Sequence, residues 1–573
     1  MRNVLSYRVD LLKRWGVVVL ITVLAVAAYG GTWRNGFVWD DETFIVTNPY
    51  VHDLSLWPQY FTKAGTGAGD ADSTFVRIYR PVQTLSFAVD AALWKGWGGG
   101  FHLTSLFLHI ASCLAILFAF GPLVGRRAAV LGAVLFAVHP ALSEGALSLA
   151  ARGNQLYTFF ALLSIGWFVR IGRPFDRSHL LSVALALLSF FSKEPAVSLV
   201  ALLPLLHAAF RRPGSIREPS AIAVHLPYLA AAACFLIARL LVVDTSSPIP
   251  YWGSSLGKTV LMQSKVFVTY LRLLVWPWPL LGRYPVPYTD PLVVLNVLIN
   301  VAAVVLGAVL ALRRGRGRMV SLAIAWFYIS LAPVSNIIPI TGTMMGERFL
   351  YFTFAGMLPL LAATLPDPLP ERCRRPAIAA GVAVIVLFVT LDVGRTAVWR
   401  DNFRFFSVLV REVPDEPIVQ TLMAKEEVLA GDPESAVRRM APLIRFITTY
   451  TPREKVASYY WYGRALLDTN RPREAFDQFA TITLLLKSVP ADIVPFIVEA
   501  AARSGKLSFA RSLLLKELEG SPNDDMLWNS LGNVLVMMGE GKDAVAAYER
   551  ALAVNPGNRE AAANLLNAQR GGR

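Results

Sequence analysis

Cysteine is nearly missing from this 573-residue chain, and charge is scarce. Of the three cysteines, Cys113 and Cys234 lie inside apolar runs and Cys373 in a basic loop, which excludes both a disulfide framework and a CxxC metal site. Charged residues amount to 17% of the chain, short of the roughly 25% of a soluble domain. Acidic residues are the scarcer sign, 40 against 55 basic, for a formal charge of +15. That excess invites a nucleic-acid reading until the positions are considered. Most Lys and Arg sit in short loops between apolar runs, the positive-inside pattern of membrane proteins, so no nucleic-acid partner is expected. A small-residue cleavage site is also lacking after the first apolar stretch, 15–32, which follows Arg2, Arg8, Lys13 and Arg14. It reads as a retained span, not a signal peptide.

What the chain does have is hydrophobic residues, 55% of the total, at a mean hydropathy of +0.48. A bilayer crossing takes about 20 apolar residues. Runs near that length cover 15–32, 101–121, 128–146, 154–171, 178–191, 195–210, 222–243, 290–312, 319–334, 347–365 and 377–394, about eleven crossings. Basic clusters at Lys13/Arg14, Arg126/Arg127, Arg170/Arg173/Arg177, Arg211/Arg212/Arg217, Arg313/Arg314/Arg316/Arg318 and Arg372/Arg374/Arg375 then fall in every second loop and mark the cytoplasmic side. Residues 258–281 are kept out of the count, because a crossing there would put the Arg313–Arg318 cluster outside. That stretch reads as an amphipathic helix at the outer interface, with Trp276 and Trp278 in the headgroup belt, and Pro81–Trp94 reads likewise. With a cytoplasmic N-terminus, the C-terminal region emerges outside, on the side of the long loop 33–100.

From Val413 the composition turns soluble and a repeat appears. Trp528, Leu531, Gly532, Leu535, Ala544, Tyr548, Ala551 and Pro556 fit the tetratricopeptide template. Degenerate copies precede it in phase, with Gly463, Ala475 and Phe479, then Ala510 and Pro522. Stacked helix pairs of this kind form an α-solenoid whose groove binds peptides or proteins more often than it does chemistry. The fold class is therefore all-α: a polytopic transmembrane bundle over 1–395, a connector over 396–412, and a tetratricopeptide-repeat solenoid over 413–573.

Candidate chemistry gathers on the outer side. Asp40 and Asp41 stand side by side just beyond the first span, where ionised groups are costly to desolvate and usually have a task. The same side carries Arg80, His102, His139, Glu144, Arg152, Lys193, Glu194, Arg272, Glu347 and Arg348. Singly, each reads as a satisfied bundle residue or a snorkelling side chain; together they suit a lipid-phosphate sugar donor, whose tail stays in the bilayer and whose phosphate sits at the interface. Arg and Lys would hold the departing phosphate, and a carboxylate would take the acceptor's proton. Asp40 or Asp41 supplies the base. Arg80, Arg152, Lys193, Arg272 and Arg348 are the pool for phosphate ligands.

The segments NGFVWDDETFIVTNPYV, YRPVQTLSF, FAVHPALSEGALSLAARGNQL, SKEPAVSL, YLRLLVWPWPL and ERFLYF, in this order and followed by the repeats, resemble the transmembrane and tetratricopeptide-repeat O-mannosyltransferases of the GT-C glycosyltransferase superfamily. The resemblance implies an essential acidic residue in the first outer loop, here Asp40 or Asp41, and a polyprenyl-phosphate or dolichyl-phosphate sugar as donor. It also implies a protein acceptor and repeats on the outer or luminal side. Thr104 and Ser143 depart from the Asn and Thr that eukaryotic relatives tend to carry. A composition rich in Ala, Arg, Gly and Pro points to a bacterial inner membrane, with the ER membrane as the eukaryotic counterpart. Some members of the superfamily place a divalent metal beside the loop carboxylates, and no His/Asp spacing here decides that point. A membrane-anchored scaffold for a secretion, pilus or polysaccharide complex is the competing reading.

Overall fold

The structure, a computed structural model, describes residues 2–67, 78–210, 219–243, 249, 251–286, 290–339, 343–364, 370–449, 452–486 and 488–571. The basic cluster Arg211/Arg212/Arg217, residues 68–77 of the first loop and the end of the run at 365 lie outside these. Among the described residues all regular structure is helical, with no strand. The chain divides into two compact units, Met1–Phe405 and Phe406–Arg573, a boundary inside the stretch read as a connector.

Among the described residues of the first unit six helices are long and apolar enough to cross a membrane: Trp15–Arg34, Gly98–Val124, Ala221–Val242, Val293–Ala311, Arg316–Val334 and Glu371–Val398. This fits a multi-pass membrane protein. Val293–Ala311 shows the logic, since Val294, Leu298, Val301 and Val305 stay exposed where a water-soluble helix would carry polar groups. The pair Arg126–Val138 and Pro140–Leu147 makes a seventh if it is one span, bent by 64° at its break. The count by length thus stops short of the eleven expected from hydropathy. The difference lies in four runs, of which 154–171 forms the 17-residue helix Arg152–Phe168 and the other three are short or broken. Residues 178–191 and 195–210 form the shorter helices Arg177–Ser192 and Glu194–Phe210, and 347–364 breaks into short 3-10 and α turns. At 1.5 Å per residue, a 16-residue helix reaches about 24 Å, less than a hydrocarbon core of about 30 Å.

Both expected interfacial segments are helical. Leu256–Val275 ends just before Pro277 and Pro279, with Trp276 and Trp278 exposed beyond it. Pro81–Trp94 differs in one respect: its polar residues Gln83, Thr84 and Asp90 point inward and are buried, while Val89 and Leu93 face out. The polar face is turned toward the bundle because Asp90 meets an arginine there.

The second unit is built from helix pairs in chain order, Pro417–Leu429 with Pro433–Met440, Pro452–Asp468 with Pro472–Leu485, Val494–Arg503 with Leu507–Gly520, and Asp525–Met537 with Gly541–Val554, followed by Arg559–Gly571. The template glycines earn their place by proximity. A Cβ on Gly532 would stand 2.4 Å from the Tyr548 ring, and one on Gly463 would stand 2.7 Å from Phe479. The motif's Gly and aromatic positions are therefore two halves of one contact.

Candidate active site

Helix breaks build the site. Pro140 lacks an N–H and follows His139 at the bend, so the chain restarts as a short helix, Ser143–Leu147, that carries Glu144 in its first turn. Pro195 does the same after Arg177–Ser192, leaving Lys193 at the helix end and Glu194 at the start of a 3-10 turn. Arg80 is the residue before Pro81, in non-helical backbone, and Arg348 sits in the 3-10 turn Glu347–Phe349. Irregular backbone in a membrane bundle survives where protein or a cavity covers it, and there it sets charged groups facing one another.

The two adjacent aspartates part company. Trp39 takes a left-handed φ of 57°, an uncommon state for a bulky side chain and one held only by strong surroundings. Its amide donates to Asn402 Oδ1 at 2.7 Å and its ring lies 5.5 Å from that of Phe405. Beyond this turn Asp41 is fully buried, with Oδ2 accepting from the Val38 amide at 3.0 Å and Oδ1 from the Ala150 amide at 2.7 Å. Ala150 in turn gives its carbonyl to Gln83 Nε2 at 2.9 Å. Asp41 thus staples the first loop to the turn before Arg152. Burial pushes its carboxyl up to about 7, against the two amide hydrogen bonds that favour the ionised form.

Asp40 is half-buried, and its carboxylate has no hydrogen-bond partner among the described residues. Burial raises its pKa; the Arg348 guanidinium opposes this, the Glu144 carboxylate adds to it, and Arg283 opposes it. Around it stand linked ion pairs. Glu144 Oε2 accepts from the Arg348 amide at 2.8 Å, and Oε1 accepts from the Arg348 side chain. Arg80 Nε meets Glu194 Oε2 at 3.0 Å. Lys193 Nζ donates to Asn154 Oδ1 at 3.0 Å and lies 5.5 Å from the Phe349 ring centre. Burial, then the charges of Arg80 and Arg348, hold the Lys193 ammonium well below its ordinary value. Asp40, Arg80, Glu144, Lys193, Glu194 and Arg348, all expected from sequence, therefore form one electrostatically connected group.

The other expected residues have partners of their own outside this group. Arg152 is fully buried: Nη1 meets Asp90 Oδ2 at 2.5 Å, Nη2 donates to the Phe101 carbonyl at 2.6 Å and Nε to Ser105 Oγ at 3.2 Å. With its side chain 0% exposed and paired to Asp90, this guanidinium ties helices together. His102 and His139 are likewise buried, with Nε2 on the carbonyls of Gly36 at 3.0 Å and Leu274 at 3.2 Å. Arg272 is exposed and donates to the Trp278 carbonyl, apart from the cluster. Glu347 is buried against Arg395 at 2.8 Å and Tyr284 at 2.6 Å. Sequence reasoning missed Asp90, Arg395, Arg283 and Tyr284. Asp90 and Arg395, charges inside apolar helices, were the findable signals. Among the described residues no group of three or more His, Cys, Asp or Glu side chains comes together to hold a metal.

No protein-family profile matches the chain. Among solved structures, a chain of the APC/C hetero-tetramer Cut9-Hcn1 aligns over 85% of this chain at 13% identity with a TM-score of 0.25, too low to carry an argument. Curated relatives do match. Protein O-mannosyl-transferase F38B6.6 of Caenorhabditis elegans is 23% identical over 405 residues, 68% of this chain and 56% of the relative. Human Protein O-mannosyl-transferase TMTC4 is 23% identical over 492 residues, 74% of this chain and 65% of the relative. Mouse Protein O-mannosyl-transferase TMTC1 is 32% identical over 152 residues, 26% of this chain and 16% of the relative. The chain thus spans little more than half to about two thirds of the first two relatives, and it is similar to proteins named as protein O-mannosyl-transferases.

Proposed function

We propose that this chain is a membrane glycosyltransferase of the GT-C type that moves mannose, or another hexose, from a polyprenyl-phosphate donor to a Ser or Thr hydroxyl of a protein. Asp40 is the base, and this choice between the paired aspartates rests on one observation: Asp41 spends both oxygens on backbone amides, whereas Asp40 presents its carboxylate beside the arginine cluster. The Asp40 carboxylate takes the hydroxyl proton as the acceptor oxygen bonds to the anomeric carbon. The bond from that carbon to the phosphate oxygen breaks, and its electron pair leaves with the phosphate. Arg348, Lys193 and Arg80 carry the phosphate's charge.

Two wider parts of the reading go with it. The shorter apolar helices cross as well, giving about eleven spans, and Asp40 and the repeats then share the outer face of a bacterial cytoplasmic membrane. The repeats stack as a solenoid that recruits the acceptor. The names of the matching relatives support the reaction class. The deciding experiment compares intact masses and glycopeptides of outer-compartment proteins from cells with and without the gene. Loss of hexose-bearing Ser/Thr peptides is expected. An unchanged glycan profile together with a defect in assembling a surface complex would instead support the scaffold.

A further inference from the structure

The turn that carries Asp40 holds a conformation that its own residues do not favour. The Asp41 amide donates to the Val38 carbonyl at 3.2 Å, which makes Trp39 the second residue of a four-residue turn and Asp40 the third. Trp39 takes a φ of 57° there, the left-handed region that turns ordinarily give to glycine or asparagine. Such a state persists only where the surroundings fix it. They do so from a distant stretch of the chain. The Trp39 amide donates to Asn402 Oδ1 at 2.7 Å, the Gly36 amide to the Arg400 carbonyl at 2.9 Å, and Asn35 Nδ2 to the Thr396 carbonyl at 3.1 Å. The Trp39 ring lies 5.5 Å from that of Phe405, which in turn lies 4.6 Å from that of Trp399. Two of these hydrogen bonds end on backbone carbonyls. The third ends on the Asn402 side chain, and it acts on the strained residue next to Asp40.

We propose that Asn402 is a positioning residue for Asp40: by accepting from the Trp39 amide it keeps the turn in its left-handed form and so aims the Asp40 carboxylate at the acceptor hydroxyl. This rests on the transfer reaction proposed above, in which Asp40 is the base. A turn released from Asn402 relaxes at Trp39 toward negative φ, the ordinary state of a tryptophan, and that rotation carries Asp40 with it. Arg80, Lys193 and Arg348 stand on other elements. The loss therefore falls on proton removal and not on donor binding.

The test uses the full chain in nanodiscs, with polyprenyl-phosphate mannose as donor and a Ser/Thr-containing peptide as acceptor. Asn402→Ala should lower kcat by about 10- to 100-fold, the range that a misplaced reacting group costs, with the donor KM unchanged. Asn402→Asp keeps an acceptor oxygen at the same reach and should restore most of the rate. Glycine supplies the sharper comparison. In the Asn402→Ala background, Trp39→Gly should recover part of the lost kcat, because glycine takes a left-handed φ without steric cost; Trp39→Ala, which removes the same ring but keeps a Cβ, should not. An Asn402→Ala protein with wild-type kcat overturns the assignment. So does one in which rate and melting temperature fall together and neither Asn402→Asp nor Trp39→Gly restores the rate. Asp40→Asn run alongside separates the two ideas: if it transfers at the wild-type rate, the transfer reading fails and this proposal with it, whereas an inactive Asp40→Asn beside a fully active Asn402→Ala overturns this proposal alone.

Discussion

Arg152 and Arg348 both hold a carboxylate through the guanidinium, yet their surroundings are opposites. The Arg152–Asp90 pair is sealed, with side chains 0% and 1% exposed, and Arg152 has further partners in Phe101 and Ser105. The Arg348–Glu144 pair is open on one side, at 19% and 4%, and its field reaches Asp40 and Lys193. The aspartates divide in the same way, Asp41 closed on two amides and Asp40 lying in the field of Arg348. A sealed pair locks helices together because full burial leaves a ligand no approach to it. An open pair has capacity left for a substrate, and that difference, not residue type, separates scaffold from site.

The comparison breaks first at Arg152. Arg152→Ala leaves Asp90 buried with its charge unpaired and the Thr104 hydroxyl, at 2.8 Å, as its remaining partner, and should cost about 3–5 kcal/mol, read as a large fall in melting temperature or loss of folded protein in detergent. If Arg152→Ala melted like the wild type, the sealed pair would not be a structural tie. Arg348→Ala should do the reverse, leaving the fold closer to intact while transfer falls about 10²–10³-fold, the loss seen when one preorganised donor is removed. Equal loss of stability in the two variants would erase the contrast.

Titration sharpens it further. Folded Asp41 keeps its proton up to about 7, against about 3.9 in an unfolded chain. The stability it contributes is therefore full below about 4 and is lost as pH rises through about 7. Melting temperatures should fall between pH 5 and pH 8 in the wild type and fall less in Asp41→Asn; identical pH slopes would remove Asp41 as the cause. The smallest effect concerns Asp40. Burial raises its pKa, and a base acts only when ionised, so transfer should rise with pH along an acid limb lying above the ordinary aspartate range. A limb near pH 4 would contradict this.

Much of this was legible in the sequence, for reasons that particular residues make plain. The repeat could be read because Gly532 and Tyr548 meet within one helix pair, at a spacing the template encodes. The charged cluster could be read as a set because proline breaks at Pro140 and Pro195 place its members beside their own helix ends. The roles of the individual residues could not. Asp41 is distinguished from Asp40 by an amide 109 positions away, and Arg152 is withdrawn from the phosphate pool by a carboxylate 62 positions before it. Hydropathy does not show which apolar runs are unbroken helices, since it is blind to the break at Lys193–Pro195 and to the short turns after Glu347.

The account turns on the unlike fates of two neighbours, so the sharpest measurement sets Asp40→Asn and Asp41→Asn side by side for transfer rate and melting temperature. Asp40→Asn should lose about 10²–10⁴-fold in rate with the fold unchanged. Asp41→Asn should lose about 1–3 kcal/mol of stability, because an Asn side chain accepts from only one of the two amides, and should keep measurable transfer. Wild-type transfer by Asp40→Asn, with loss in Asp41→Asn at full stability, would contradict the account.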